Sequence, residues 1–259
     1  MRLLFAVAAA GALAFLALPV AAIFVRVSPG TLVRELGDPV ARDALVVSLE
    51  TSAIAQALVV AFGTPTAYLL ATRRFRGRSV LLTLVELPLV LPPAVAGIGL
   101  LATFGRTGLL STSVAFTKTA VVLAVAFVSA PFYVRTAVAA FEAVDPTLVA
   151  AARTLGAGPW RVFSRVALPL SAGGLGAGLA LSFARGLGEF GATIMFAGSL
   201  QRVTQTLPLA IYAEFARSFD VALAIGALLV VFSFTLLLAV KWLRFGWTSP
   251  SRFAPSPFA

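Results

Sequence analysis

Arg185 and Glu189 stand four residues apart inside the apolar run GGLGAGLALSFARGLGEFGATIMF. That spacing places both side chains on one face of a helix, where they can pair. In a bilayer a lone charge near the centre costs ~2.5–3.5 kcal/mol on insertion scales, so the remainder must be met by a partner helix or by water. Two uses fit the pair. One is a structural ion pair that fixes helix register. The other is the lining of a translocation path, in which Arg185 offers a cation to a passing anion and holds it weakly enough for release. Glu50 and Glu86 are the other acids within apolar runs. Both lie toward run ends, where pairing or snorkelling accounts for them, and an acid would repel an anionic cargo.

Other chemistries fail on residue type. The chain has no Cys and no His. That removes disulfides, thiolate metal sites, iron–sulfur clusters, His-ligated haem and Ser-His nucleophiles. Asp38, Asp43, Asp145 and Asp220 all fall outside the centres of the apolar runs, so no paired-aspartate site assembles there. No metal or cofactor site is expected. Gly186, Gly188 and Gly191 spell GxGxxG, but no strand precedes them and the setting is apolar, which argues against a dinucleotide fold. A P-loop needs Gly-Lys followed by Ser or Thr. Here Thr117 precedes Lys118, and Trp242 follows Lys241. The chain therefore reads as a non-enzyme, and any ATP-driven work requires a separate ATPase subunit.

The elements that position Arg185 and Glu189 follow from composition. Of 259 residues, 60% are hydrophobic and 12% charged, with a mean hydropathy of +1.00. Soluble domains average roughly 45–50% apolar and about 25% charged, so a water-soluble globular protein is excluded. Disorder is excluded by the same hydrophobicity. The fold class is an all-α polytopic membrane protein. A span takes about 20 residues, because ~30 Å of hydrocarbon is crossed at ~1.5 Å per residue. Six runs qualify: 3–25, 44–70, 80–104, 119–135, 170–196 and 221–240. The first exceeds the ~7–15 residues of a secretory h-region and reads as a transmembrane helix, with cleavage near Val20-Ala21-Ala22 as the alternative. The third carries Pro88, Pro92 and Pro93, kinks that a bilayer tolerates where neighbouring helices or water satisfy the freed carbonyls. One transmembrane domain is expected over 1–259, with a loop at 136–165 and a flexible tail at 244–259.

The net charge is +10. Twelve basic residues fall on the side that holds both termini and seven on the other, which puts the termini in the cytoplasm. The basic excess then meets anionic lipid rather than nucleic acid. Gly176, Ala180, Ala184, Gly188 and Ala192 recur every four residues, a stripe that would let two membrane helices approach closely.

Between the fourth and fifth runs lies DPTLVAAARTLGAGPWRVFSRVALP. Asp145 can cap a helix and Pro146 suits its first turn. Leu148, Ala151, Ala152 and Leu155 recur at helical spacing, and Gly156 suits a stop. Gly158 and Pro159 begin a second helical stretch carrying Trp160 and Phe163. Such a helix-turn-helix either lies on lipid with its arginines at headgroups or forms a docking knob for a soluble partner.

The segment resembles the EAA loop of ABC-importer permeases: E-A-A, three residues, Gly, nine residues, then an apolar-x-Leu-Pro ending. Ala151-Ala152, Gly156 and Val166-Ala167-Leu168-Pro169 match it, and Ala150 stands in place of the Glu. The resemblance implies a coupling helix seated in a cleft of the ATPase, formed by Ala151, Ala152, Arg153, Leu155, Gly156, Pro159 and Trp160. Further, ARGLGEFGATIMFAG (184–198), TQTLPLAIY (204–212) and LPLVLPPAVAGIGLL with the following FGRTGLL resemble the molybdate-permease branch, and the likeness runs over 48–240. Tungstate permeases are similar, and sulfate permeases share an LGEFGA stretch. The resemblance implies a type I importer of the inner cell membrane: two permease subunits, here an identical pair, two ATPase subunits, and an external oxyanion-binding protein. It also implies that the third and fifth helices form the gate, which makes Pro92, Pro93, Arg185, Gly188 and Glu189 the candidate path residues. The expected cargo is molybdate or tungstate, with a sulfate or thiosulfate permease as the alternative. An ion-coupled carrier is the competing class, but it usually shows internal repeats and midplane carboxylates. No repeat is visible here, and the one midplane acid sits beside Arg185.

Overall fold

The computed structural model describes residues 1–247. They form twelve α-helices and one π-helical turn, with no strand among the described residues. The order is α1 (Arg2–Arg26), α2 (Pro29–Leu36), α3 (Pro39–Thr72), α4 (Arg78–Val90), α5 (Pro93–Phe104), α6 (Lys118–Glu142), α7 (Pro146–Thr154), α8 (Pro159–Val162), the π turn Phe163–Ala167, α9 (Leu168–Leu187), α10 (Gly191–Ala197), α11 (Leu207–Phe215) and α12 (Phe219–Trp247).

Polar residues set where the long helices begin. Asp38 accepts a hydrogen bond from the Val40 amide at 2.7 Å, and Pro39 opens α3 behind it. Thr117 caps α6 by accepting from the Ala120 amide at 3.3 Å. Helix α6 is the axis of the bundle. Its Val121, Val125 and Val128 are buried with Ala55 of α3 and with Ala96 and Leu100 of α5. Tyr133, Ala137 and Phe141 are buried with Val59, Ala67 and Leu70 of α3. Helix α9 lies on the same axis through small residues. A Cβ on Gly178 would meet the Thr136 Cβ at 3.0 Å, and one on Gly186 would meet Val125 Cγ1 at 2.9 Å. Helix α1, by contrast, buries none of its apolar span and contacts only α12 closely.

The structure corrects the expected spans. Counting the described residues, four helical stretches are long and apolar enough to cross a membrane: Leu4–Arg26, Pro39–Thr72, Lys118–Glu142 and Pro159–Leu187. The run 80–104 is two helices, α4 and α5, bent by 113°, and makes a fifth span if the pair counts as one. Leu91 is extended and Pro92 and Pro93 follow it, so no amide is free to carry the helix through. The sixth run, 221–240, lies within α12, a single helix of 29 residues. The run 170–196 is also interrupted, between α9 and α10. Helix α6 continues to Glu142, so the expected loop begins seven residues later than 136. Helix α12 reaches Trp247, past the expected tail start at 244, and the rest of that tail (248–259) lies outside the described residues.

Within this chain the small-residue stripe divides: Ala180 and Ala192 are buried, while Gly176 and Gly188 are exposed. Gly176 and Gly188 meet no side chain within 4 Å, whereas Gly174, Gly178 and Gly186 press against α6. A shift of two residues turns a helix by about 200°, so the line 174–178–182–186 faces inward.

Candidate coupling elbow and translocation path

The elbow between α6 and α9 is built by caps. The Asp145 carboxylate accepts from the Thr147 amide and hydroxyl, both at 2.8 Å, and starts α7. The bond from the Thr147 amide, with the hydroxyl second, holds the Asp145 carboxyl below the usual carboxylate range. Gly156 ends α7 at φ +80°, where a side chain would be strained. Its amide donates to the Arg153 carbonyl at 2.9 Å, and the Ala157 amide donates to Ala152 at 3.0 Å. Gly158 and Pro159 then start α8, and the π turn passes the chain into α9. Phe163 anchors the elbow by packing edge-on against Tyr68 at 4.8 Å between ring centres.

All the expected elbow residues fall on this turn. Ala151, Arg153, Gly156 and Pro159 are exposed and Ala152 is half-buried. Leu155 is 87% exposed and Trp160 73%. Two large apolar side chains are thus bare on a turn whose arginines, Arg153 and Arg161, have no ion partner among the described residues.

The second site is where two helix breaks meet. A Cβ on Gly191, at the start of α10, would lie 2.7 Å from Pro93 Cβ at the start of α5. A Cβ on Gly97 would lie 2.6 Å from the Ala192 carbonyl oxygen. The two short helices therefore touch backbone to backbone beside their breaks. Broken backbone at membrane depth needs new partners for its polar groups, and Glu189 supplies one. Its Oε2 pairs with Arg185 Nη1 at 2.8 Å, while its Oε1 accepts from the Ala192 amide at 2.8 Å. One carboxylate joins the end of α9 to the start of α10. The Glu189 side chain is 1% exposed and that of Arg185 is 31% exposed. Pro92 and Pro93 are exposed at the α5 start. Gly188 forms the cap of α9 and touches no other side chain of this chain.

The remaining acids of the apolar runs are also paired: Glu50 with Lys118 at 2.6 Å and Glu86 with Arg135 at 3.1 Å. A buried network absent from the sequence reading lies at Gln56, Ser129 and Ser182. Gln56 Nε2 donates to Ser129 Oγ at 3.1 Å, and Ser182 Oγ donates to Gln56 Oε1 at 2.8 Å. It ties α3, α6 and α9 together at one level. The signal available was an uncharged amide in mid-run at Gln56 and a hydroxyl in mid-run at Ser182; polar residues at such positions bond across helices.

The chain is similar to known proteins in sequence and in fold. The family described as binding-protein-dependent transport system inner membrane component matches residues 63–247. The molybdenum transport system permease protein ModB of Mycobacterium tuberculosis is 45% identical over 235 residues, covering 87% of this chain and 88% of that one. A bacterial alginate ABC transporter, solved in complex with an alginate pentasaccharide-bound periplasmic protein, superposes with a TM-score of 0.75 at 18% identity, over 96% of both chains. The inward-facing MetNI methionine ABC transporter gives a TM-score of 0.65 at 19% identity, over 81% of this chain and 96% of that one. These two structures share the fold.

Proposed function

This chain belongs to the family of binding-protein-dependent transport system inner membrane components, and from that premise we propose that it is the permease subunit of an ATP-driven molybdate importer. It is a transport subunit of a multi-pass inner-membrane protein. ATP hydrolysis is supplied by separate ATPase subunits, and the oxyanion is delivered by an extracytoplasmic binding protein. Two identical permease chains face each other across the path. On this reading α4–α5 counts as one span and α12 as the sixth, and an even number of spans puts both termini in the cytoplasm.

The observation that carries this reading is the elbow. Leu155 and Trp160 are large, apolar and exposed on a capped turn outside the bundle. Covering the two returns ~1.5–3 kcal/mol per side chain, which rewards a soluble partner with a matching cleft. Molybdate is favoured as cargo because the relative that matches 87% of this chain at 45% identity is named for molybdenum transport. Along the path, Glu189 is already committed to Arg185 and to the Ala192 amide. It leaves the partly open Arg185 as the charge that an anion meets. The same pairing disfavours an ion-coupled carrier, since the buried mid-span carboxylate is already held by two partners of this chain.

The test is co-expression with the ATPase and binding protein. The reading expects a stable complex and ATPase activity stimulated by the binding protein loaded with molybdate, compared in parallel with tungstate and sulfate. A chain that purifies without any nucleotide-binding partner contradicts it. Stimulation by sulfate alone would move the cargo to the sulfate branch.

A further inference from the structure

The inner end of the bundle carries more positive charge than its own acids balance. Glu142 pairs with Arg78 at 2.5 Å, Glu86 pairs with Arg135, and Asp145 caps α7. Arg73, Arg74 and Arg153 have no acidic partner among the described residues. Two clefts open between the end of α3 and the elbow, of about 610 and 520 Å³, and they share Tyr68, Thr72 and Arg153. The larger also holds Arg74, Arg78 and Glu142. The smaller has Arg73 and Arg153 as its only charged lining residues, so both charges are positive.

The walls of the smaller cleft are fixed. Tyr68 is clamped edge-on by Phe141 at 5.3 Å and by Phe163 at 4.8 Å between ring centres. Its hydroxyl makes no hydrogen bond among the described residues. Thr72 Oγ1 donates to the Tyr68 carbonyl at 2.7 Å, which closes the last turn of α3 beneath Arg73. The Arg153 carbonyl accepts from the Gly156 amide at 2.9 Å, which fixes the backbone there at the end of α7. Two guanidinium groups that cannot lose their charge, with the Tyr68 phenol lining the same cleft, form a donor set for a tetrahedral oxyanion, which accepts forked guanidinium bonds. Basic pockets at the inner ends of membrane helices hold phosphate headgroups by this chemistry.

We propose that the cleft between Arg73 and Arg153 binds a phosphate-like oxyanion group, which bridges the end of α3 to the elbow and steadies it. The group is either the phosphate of an anionic lipid or a free oxyanion of the cytoplasm; the chemistry is shared and the sources are separable. This goes beyond the transport reading and does not depend on which cargo is carried.

The test uses the full chain purified in detergent, with native mass spectrometry counting retained phosphatidylglycerol against phosphatidylcholine. Equilibrium binding of inorganic phosphate and of molybdate runs in parallel. Arg73 and Arg153 are exposed and unpaired, so Arg73→Gln and Arg153→Gln keep the fold. Each is expected to weaken binding roughly fivefold, Tyr68→Phe is expected to weaken it less, and Arg202→Gln at the far end leaves it unchanged. A fivefold loss confined to phosphatidylglycerol assigns the seat to lipid; one confined to the soluble probes assigns it to a free oxyanion. Equal retention of every probe by the unaltered chain and the Arg73→Gln, Arg153→Gln double variant overturns the proposal.

Discussion

Removing Arg185 strands Glu189, which is buried and keeps only the Ala192 amide as a donor. An uncompensated buried charge costs about 3–5 kcal/mol, more than the ~1–3 kcal/mol of an orphaned amide. Arg185→Ala should therefore destabilise the protein more than Glu189→Ala does, and adding Glu189→Gln to Arg185→Ala should recover part of the loss, because a neutral amide still accepts from Ala192. Thermal unfolding of the purified variants measures both effects. If stability recovers while transport stays dead, the cation acts on the cargo. Asp145 is the residue for which acid matters outside the spans. Its folded pKa is lowered, so its cap contributes above the ordinary carboxylate range and is lost as pH falls through the lowered value. Hydrogen exchange over 146–154 should rise only in acid, and Asp145→Asn should flatten that dependence.

The helices divide by how local their cause is. Gly156 was legible because only a residue at ease with positive φ ends a helix that way, and its φ of +80° agrees with that expectation. The kink at Pro92 and Pro93 was legible as a kink, but not as a 113° reversal of direction. Its angle is decided by α10, which packs at Gly97, and that contact is far away in sequence. The break after Leu187 escaped hydropathy because every residue near it except Arg185 and Glu189, which pair with each other, suits an apolar run. The inward face of α9 escaped because Gly174 and Gly176 are equally small, and only the position of α6 chooses between them. Two substitutions separate these faces. Gly186→Leu should cost about 1–3 kcal/mol through overpacking against Val125, whereas Gly188→Leu should leave the isolated subunit's unfolding temperature unchanged. Lost transport in a stably folded Gly188→Leu protein would place that face against the second subunit. Gly156→Val should cost about 1–2 kcal/mol of local strain and lower cargo-stimulated ATPase activity.

At the scale of the whole molecule, a rigid unit of α3, α6 and α9 is pinned by Gln56, Ser129 and Ser182, and the broken helices α4–α5 and α10 pack against it. Membrane residence and the helical class were readable from composition, because 12% charge leaves no soluble alternative. The breaks within the third and fifth runs were less readable, since hydropathy measures length but not direction. The whole reads as a gate without a motor of its own. The most direct measurement is uptake of labelled molybdate into vesicles carrying this chain, with and without its ATPase, binding protein and ATP. Accumulation should require all three, and Gly156→Val should abolish it while the complex still hydrolyses ATP. Accumulation by vesicles that hold this chain alone, driven by a proton or sodium gradient, would contradict the account.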